Sequence, residues 1–186
     1  FLTPEGYYTK EEIDLFPLSK FEFKNILNVN FDIDDLYDGR PHYYLQGWCY
    51  CNDSIVMALR DVAYYDNYVR LVEVDLSTQN ILRETYLELH HANSITYNKK
   101  DNKLYVAACN TINGSGGNKP KNDIFIVDYT SFTIIDSILP SNLPVDHRIR
   151  SVCYDNEEDV LYAGDIYDMF VIDEENELIT ETINLN

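Results

Sequence analysis

The chain has 186 residues, 45% of them hydrophobic and 16 of them Tyr, which is enough apolar side chain for one packed domain. Its formal net charge of −18 argues against nucleic acid and anionic membrane surfaces as partners, because both repel an acidic protein. No apolar run approaches the ~20 residues that span a bilayer, so membrane insertion is not expected.

Residues 1–42 read as an N-terminal extension or partial repeat. The chain opens Phe1-Leu2-Thr3-Pro4 without Met and without a secretory leader, as expected of a piece of a longer polypeptide. Thr9 and Glu12 stand at capping-box spacing, which predicts a short helix through Ile13 to Phe16 before Pro17. Phe21 to Phe31 then alternates partly like a strand. The acidic run Asp32 to Gly39 fails the calcium-loop pattern: counted from Asp34, position three is Leu36 and position twelve is Leu45. It reads as a solvated turn.

From residue 43 onward three segments repeat, over about 43–89, 90–144 and 145–186. Each contains four short strand-like runs, here a to d. Strand a ends near an anchor Tyr (Tyr50, Tyr97, Tyr154) and strand c ends in Asp (Asp75, Asp128, Asp173), at spacings of 45 to 57 residues. Four-stranded blades of propellers repeat about every 40–50 residues. Leu104 to Ala108 and Ile124 to Val127 are apolar at every position, as in strands buried on both faces. Ile81 to Tyr86 is more polar and suits an outer rim. The Asp at the end of strand c can accept backbone amides of the following turn, which accounts for its recurrence without catalysis.

The predicted fold class is all-β: a β-propeller with three recognisable four-stranded blades, as an incomplete ring or part of a larger one, and a short N-terminal α/β extension. Three blades do not close a ring, since propellers use about 4–8. Missing blades from a longer chain, or self-association, are therefore expected.

The cysteines give no CxxC pair, and no cofactor or metal is expected. Cys49 and Cys51 fall on the same side of a strand, where a bridge is geometrically poor. Cys49 and Cys153 each precede an anchor Tyr and read as small core residues.

The histidines carry the most specific functional pattern. His42, His90, His91 and His147 all precede a strand a. In a propeller such positions converge on one end, together with the loops between strands b and c. The candidate ligand-binding residues are His42, His91 and His147, with Gln46, Asn93 and Arg150 beside them at the start of strand a. Arg60, Tyr64 and Tyr65 add an aromatic loop suited to stacking on sugar rings. The competing reading is structural: each His fills a loop or the channel mouth. No GxSxG or HExxH pattern is present, and the expectation is a binding module rather than an enzyme. The alternative is a propeller-type glycoside hydrolase or lyase using the histidine-bearing end.

The runs His91-Ala92-Asn93-Ser94-Ile95-Thr96-Tyr97, Lys103-Leu104-Tyr105-Val106 and Ile124 to Asp128 resemble blades of YVTN- and NHL-like propellers. They also resemble the propeller platform of phage tail receptor-binding proteins. The resemblance covers about residues 43–186 and lacks the Trp-Asp ending of WD repeats. It implies a virion or extracellular oligomer binding surface glycan or a protein partner. It carries no individual site residue.

Overall fold

A computed structural model describes residues 2–3, 6–7, 36–37, 40–41, 43–61, 68–108 and 123–185. Two short ladders come first: β1 (Leu2–Thr3) pairs with β2 (Gly6–Tyr7), and β3 (Leu36–Tyr37) with β4 (Arg40–Pro41). The predicted helix at 13–16, the strand at 21–31 and the acidic turn's Asp32, Asp34, Asp35, Asp38 and Gly39 lie outside the described residues.

The three repeats form three four-stranded antiparallel meanders. Sheet 1 is β5 (Tyr43–Cys51), β6 (Ser54–Asp61), β7 (Val69–Asp75) and β8 (Ile81–Leu87). Sheet 2 is β9 (Ser94–Asn98), β10 (Lys103–Ala107), β11 (Ile124–Asp128) and β12 (Thr133–Ile138). Sheet 3 is β13 (Ser151–Asp155), β14 (Val160–Gly164), β15 (Asp168–Asp173) and β16 (Leu178–Asn184).

Register makes the sheets equivalent. Tyr50, Tyr97 and Tyr154 pair with Ile55, Leu104 and Leu161. The pairing of strands c and d slips at the same place in each: Glu73/Val74, Ile126/Val127 and Val171/Ile172. A bulge inserts one residue and sharpens local twist, so the slip twists every outer strand alike. The strand-c Asp then builds the turn. Asp75 Oδ1 accepts the amides of Ser77 (3.0 Å) and Thr78 (2.7 Å), Asp128 Oδ1 that of Ser131 (2.7 Å), and Asp173 Oδ1 that of Asn176 (3.0 Å). Each turn closes through a left-handed residue: Gln79, Phe132 and Glu177, with φ of 59°, 52° and 51°.

Face alternation sets the packing. Val56, Ala58 and Leu71 of sheet 1 pack on Ile95, Tyr97, Leu104 and Val106 of sheet 2. Tyr105, Ala107, Ile124 and Ile126, on the other face of sheet 2, pack on Val152, Tyr154, Leu161 and Phe170 of sheet 3. Innermost strands lie side by side. Gly47 is glycine because a Cβ there would stand 3.0 Å from Ser94 Cα and 3.1 Å from Ile95 N. In the next junction Ser94 Oγ donates to Val152 O (3.1 Å) and accepts from Val152 N (3.2 Å), and Thr96 Oγ1 accepts from Tyr154 N (3.0 Å).

One core expectation is corrected. Cys153 is exposed and Cys49 only partly buried, whereas Cys51 is buried. Val152 and Tyr154 point into the junction with sheet 2, so a period-2 strand turns Cys153 to the opposite face. Cys49 and Cys51 share a face, as expected, with their sulfurs 3.7 Å apart and unbridged.

Candidate functional site

The loop-bearing end is assembled where the segment before strand a meets the end of strand b. Asn93 N donates to Ala107 O (3.0 Å), and Arg150 N donates to Gly164 O (2.8 Å). These bonds put Asn93 and Arg150 at one repeat position, four residues before the anchor Tyr. Gln46 occupies it in sheet 1, inside the Leu45/Gly47 register slip. All three are half-buried. Among the described residues their side chains make no hydrogen bond.

Counting back from the anchor Tyr also aligns the histidines. His147 is equivalent to His90 rather than to His91, and both rest on the equivalent Phe of strand c. The His90 ring stacks on Phe125 (centroids 6.0 Å, 22°), and His147 meets Phe170 edge-on (5.6 Å, 73°). His91, next to His90 in the chain, is also buried. His90 was absent from the sequence-based candidates, although its spacing to Tyr97 was the available signal.

In sheet 3 the turn between β14 and β15 and the first residue of β15 supply two carboxylates, Asp165 and Asp168, that the sequence reading did not select. Asp165 Oδ2 lies 2.6 Å from His147 Nδ1, and Asp168 Oδ2 lies 3.5 Å from it. Asp165 Oδ1 accepts the amides of Tyr167 (2.6 Å) and Asp168 (2.8 Å). Burial pushes the Asp165 carboxyl up, but the two amides and His147 outweigh it and leave it below the ordinary range. One imidazole nitrogen and two carboxylate oxygens within 4.8 Å of one another are a donor set that a cation accepts. With its other oxygen on two amides, Asp165 already braces the turn against the loop before strand a.

His42, Tyr64 and Tyr65 lie outside the described residues. Arg60, the penultimate residue of β6, is half-buried.

A second surface is aromatic. Trp48 and Tyr50 are half exposed on β5 and meet edge-to-face, with centroids 5.4 Å apart. They occupy the positions of Ile95 and Tyr97 in sheet 2, and of Val152 and Tyr154 in sheet 3, all buried against the preceding sheet.

No family model matches the chain, and no curated protein does. Solved structures do. A Kuenenia stuttgartiensis hydrazine synthase superposes with TM-score 0.51 at 14% identity, over 76% of this chain and 36% of that one. A mitotic checkpoint complex gives 0.52 at 11%, over 77% and 40%. The Pan2 WD40 domain of Neurospora crassa gives 0.50 at 8%, over 75% and 36%. The fold is a β-propeller. At these identities the likeness concerns fold alone, and this chain spans well under half the length of the three. Sheets 1 to 3 are blades of an incomplete ring, with β5, β9 and β13 innermost and β8, β12 and β16 on the rim.

Proposed function

We propose that the chain is a binding and assembly module of a β-propeller, recognising a surface glycan at its loop-bearing end as a phage tail or cell-surface structural protein would. The observation that carries this reading is the repeat position of Gln46, Asn93 and Arg150. Two amides and a guanidinium stand there, half out of water and without a side-chain partner among the described residues. Amides offer both donors and acceptors, and the guanidinium a fork of donors, which together match sugar hydroxyls. In this reading His91 and His147 flank the site, and His42, Arg60, Tyr64 and Tyr65 complete it.

The test is calorimetric titration with cell-wall glycopolymers and their oligosaccharides. Wild type binds at least one without turnover. Arg150→Ala weakens binding about tenfold or more, because a hydrogen bond to a charged group is worth about 1.5–3 kcal/mol, and Asn93→Ala about two- to tenfold, because a neutral one is worth about 0.5–1.5 kcal/mol. Absence of binding to every glycan, or binding unchanged in both variants, refutes the reading.

The His147, Asp165 and Asp168 cluster favours a second reading, a glycoside hydrolase or lyase, since it brings acid and base groups together. That reading requires release of new reducing ends that His147→Ala abolishes in a folded protein. The likeness to a WD40 domain supports a third, a protein ligand on the same end, which a partner captured by wild type and lost with Arg150→Ala would favour.

A further inference from the structure

The downstream face of blade 3 repeats, position by position, the face that blade 2 offers to blade 3. Tyr105, Ala107, Ile124 and Ile126 are buried in the blade 2–3 junction. By strand register their counterparts are Tyr162, Gly164, Met169 and Val171, none of them in that core. Instead Tyr162, Gly164 and Met169 line an open hollow of about 130 Å³ with Ser151, Cys153 and Leu185.

The polar contacts of the junction are half-built in the same way. Ser94 holds the backbone of Val152 through both bonds of its hydroxyl. Its counterpart Ser151 is exposed, and its hydroxyl reaches only Gly164 O of its own blade, at 3.4 Å. Thr96 accepts the amide of Tyr154, and its counterpart Cys153 is exposed. Tyr105 stacks on Tyr154, with centroids 5.5 Å apart at 13°; among the described residues no ring stacks on Tyr162.

We infer that this face is the seat of a fourth four-stranded blade, carried by a longer form of the same polypeptide. Its innermost strand would lie along Ser151, Cys153 and Asp155, as β13 lies along Ser94, Thr96 and Asn98. Two observations select this occupant. The face continues an existing interface in kind and register, and the chain covers only 36–40% of the propeller-containing chains it superposes on. The inference is independent of whether the loop-bearing end binds a glycan.

Cys153 is a built-in reporter. The experiment labels the native 186-residue chain and the full-length polypeptide with a maleimide and follows the Cys153 peptide by mass spectrometry. In the 186-residue chain labelling is fast at every protein concentration. In the full-length polypeptide it is slower by about a hundredfold or more, because reagent then waits for a packed interface to open. Equal, fast labelling in both overturns the inference. Protection that grows with concentration in the 186-residue chain also overturns it, because a second copy then fills the seat. Cys153→Arg gives an independent readout: it lowers the Tm of the full-length polypeptide and leaves that of the 186-residue chain unchanged. An equal effect on both, or none on either, goes against the fourth blade.

Discussion

Replacing Glu73 tests what holds blades 1 and 2 together. Glu73 is 4% exposed. Its Oε1 accepts from Ser54 Oγ (2.5 Å) and from the Tyr129 hydroxyl of blade 2, and its Oε2 accepts from Arg83 Nε (2.6 Å). Arg83 also donates to Thr130 O (2.5 Å) and lies over the Phe132 ring, 3.8 Å from its centroid. Glu73→Ala removes the shared acceptor of two hydroxyls and a guanidinium, leaving, among the described residues, Ser54 Oγ only Cys51 O (2.9 Å) and the Tyr129 hydroxyl (3.3 Å), and Arg83 only Thr130 O. Removing one partner of a buried ion pair costs about 3–5 kcal/mol. The Arg83 side chain is 31% exposed and can recover some water, so the lower end, about 3 kcal/mol, applies. For a chain of this size that is a fall in Tm of about 6–12 °C. Glu73→Gln keeps an acceptor for the hydroxyls but turns an amide donor toward Arg83, and loses about 2 kcal/mol. Urea unfolding followed by circular dichroism measures both. The sign with pH is also set. Burial raises the Glu73 carboxyl, but Ser54, Tyr129 and Arg83 together hold it below 4.5. Its contribution is therefore complete above pH 4.5 and is lost as pH falls through the depressed value. The deficit of Glu73→Ala should shrink in acid. A change within about 0.5 kcal/mol at pH 7, the range of neutral surface substitutions, would show that the network does not hold the junction.

Gly47→Ala should destabilise by about 1–3 kcal/mol, because the new methyl meets the fixed backbone of Ser94 and Ile95; Gly164→Ala, whose nearest neighbour is the rotatable Ser151 hydroxyl at 2.9 Å, should cost less than about 1 kcal/mol in the same unfolding assay. Asp165→Ala removes the acceptor of two turn amides and should cost about 1–3 kcal/mol, with an exchange-rate increase at Tyr167 and Asp168 seen by amide hydrogen exchange. The Asp75 carboxyl, pulled down first by the Ser77 hydroxyl and then by the Thr78 amide, should titrate at about 2 by NMR, and Ser77→Ala should raise that midpoint. Because the folded value lies below the ordinary 3.8, this group favours the folded state above pH 3.8 and ceases to as pH falls through about 2.

The repeat was legible because its markers are local. An anchor Tyr, an Asp at the end of strand c and polar turns all fall within a few residues of the backbone they shape. The loop-bearing end was less so, because its contacts run between segments. The sequence reading chose His91, since both members of the His90-His91 pair precede strand a, and only register on Tyr97 makes His90 the counterpart of His147. Asp165 and Asp168 carry no marker in the sequence, and only the fold of the β14–β15 connection brings them against His147. Glu73 was hidden for another reason. Blades 2 and 3 place Ile126 and Val171 at that position, so its partner, Tyr129, is predictable from neither strand alone. Cys153 was misplaced because adjacency to an anchor residue was taken as burial, whereas alternation puts neighbours on opposite faces.

Part of the acidity of the chain follows from the same architecture. A charge of −18 reads, taken alone, as a device for solubility. Yet Asp75, Asp128, Asp155, Asp165 and Asp173 each accept backbone amides two or three residues ahead. Each is held below the ordinary carboxylate range: Asp75, Asp128 and Asp173 first by the side chains of Ser77, Ser131 and Asn176 and then by those amides, Asp155 by its amides, and Asp165 by amides and His147 against the upward push of burial. A meander of short strands reverses direction three times per blade, and each reversal exposes amides that no ladder can satisfy. A side-chain acceptor at the corner meets that need, and Asp does so with the shortest charged side chain. A blade built this way accumulates negative charge with each added turn, independently of any partner. It follows that charge reversal at an exposed carboxylate outside the turns, such as Glu181→Lys, should leave stability nearly unchanged, whereas Asp128→Lys should loosen the β11–β12 turn and expose the Ser131 amide to exchange. Equal effects at both positions would mean that the acidic residues act as a diffuse charge rather than as turn acceptors.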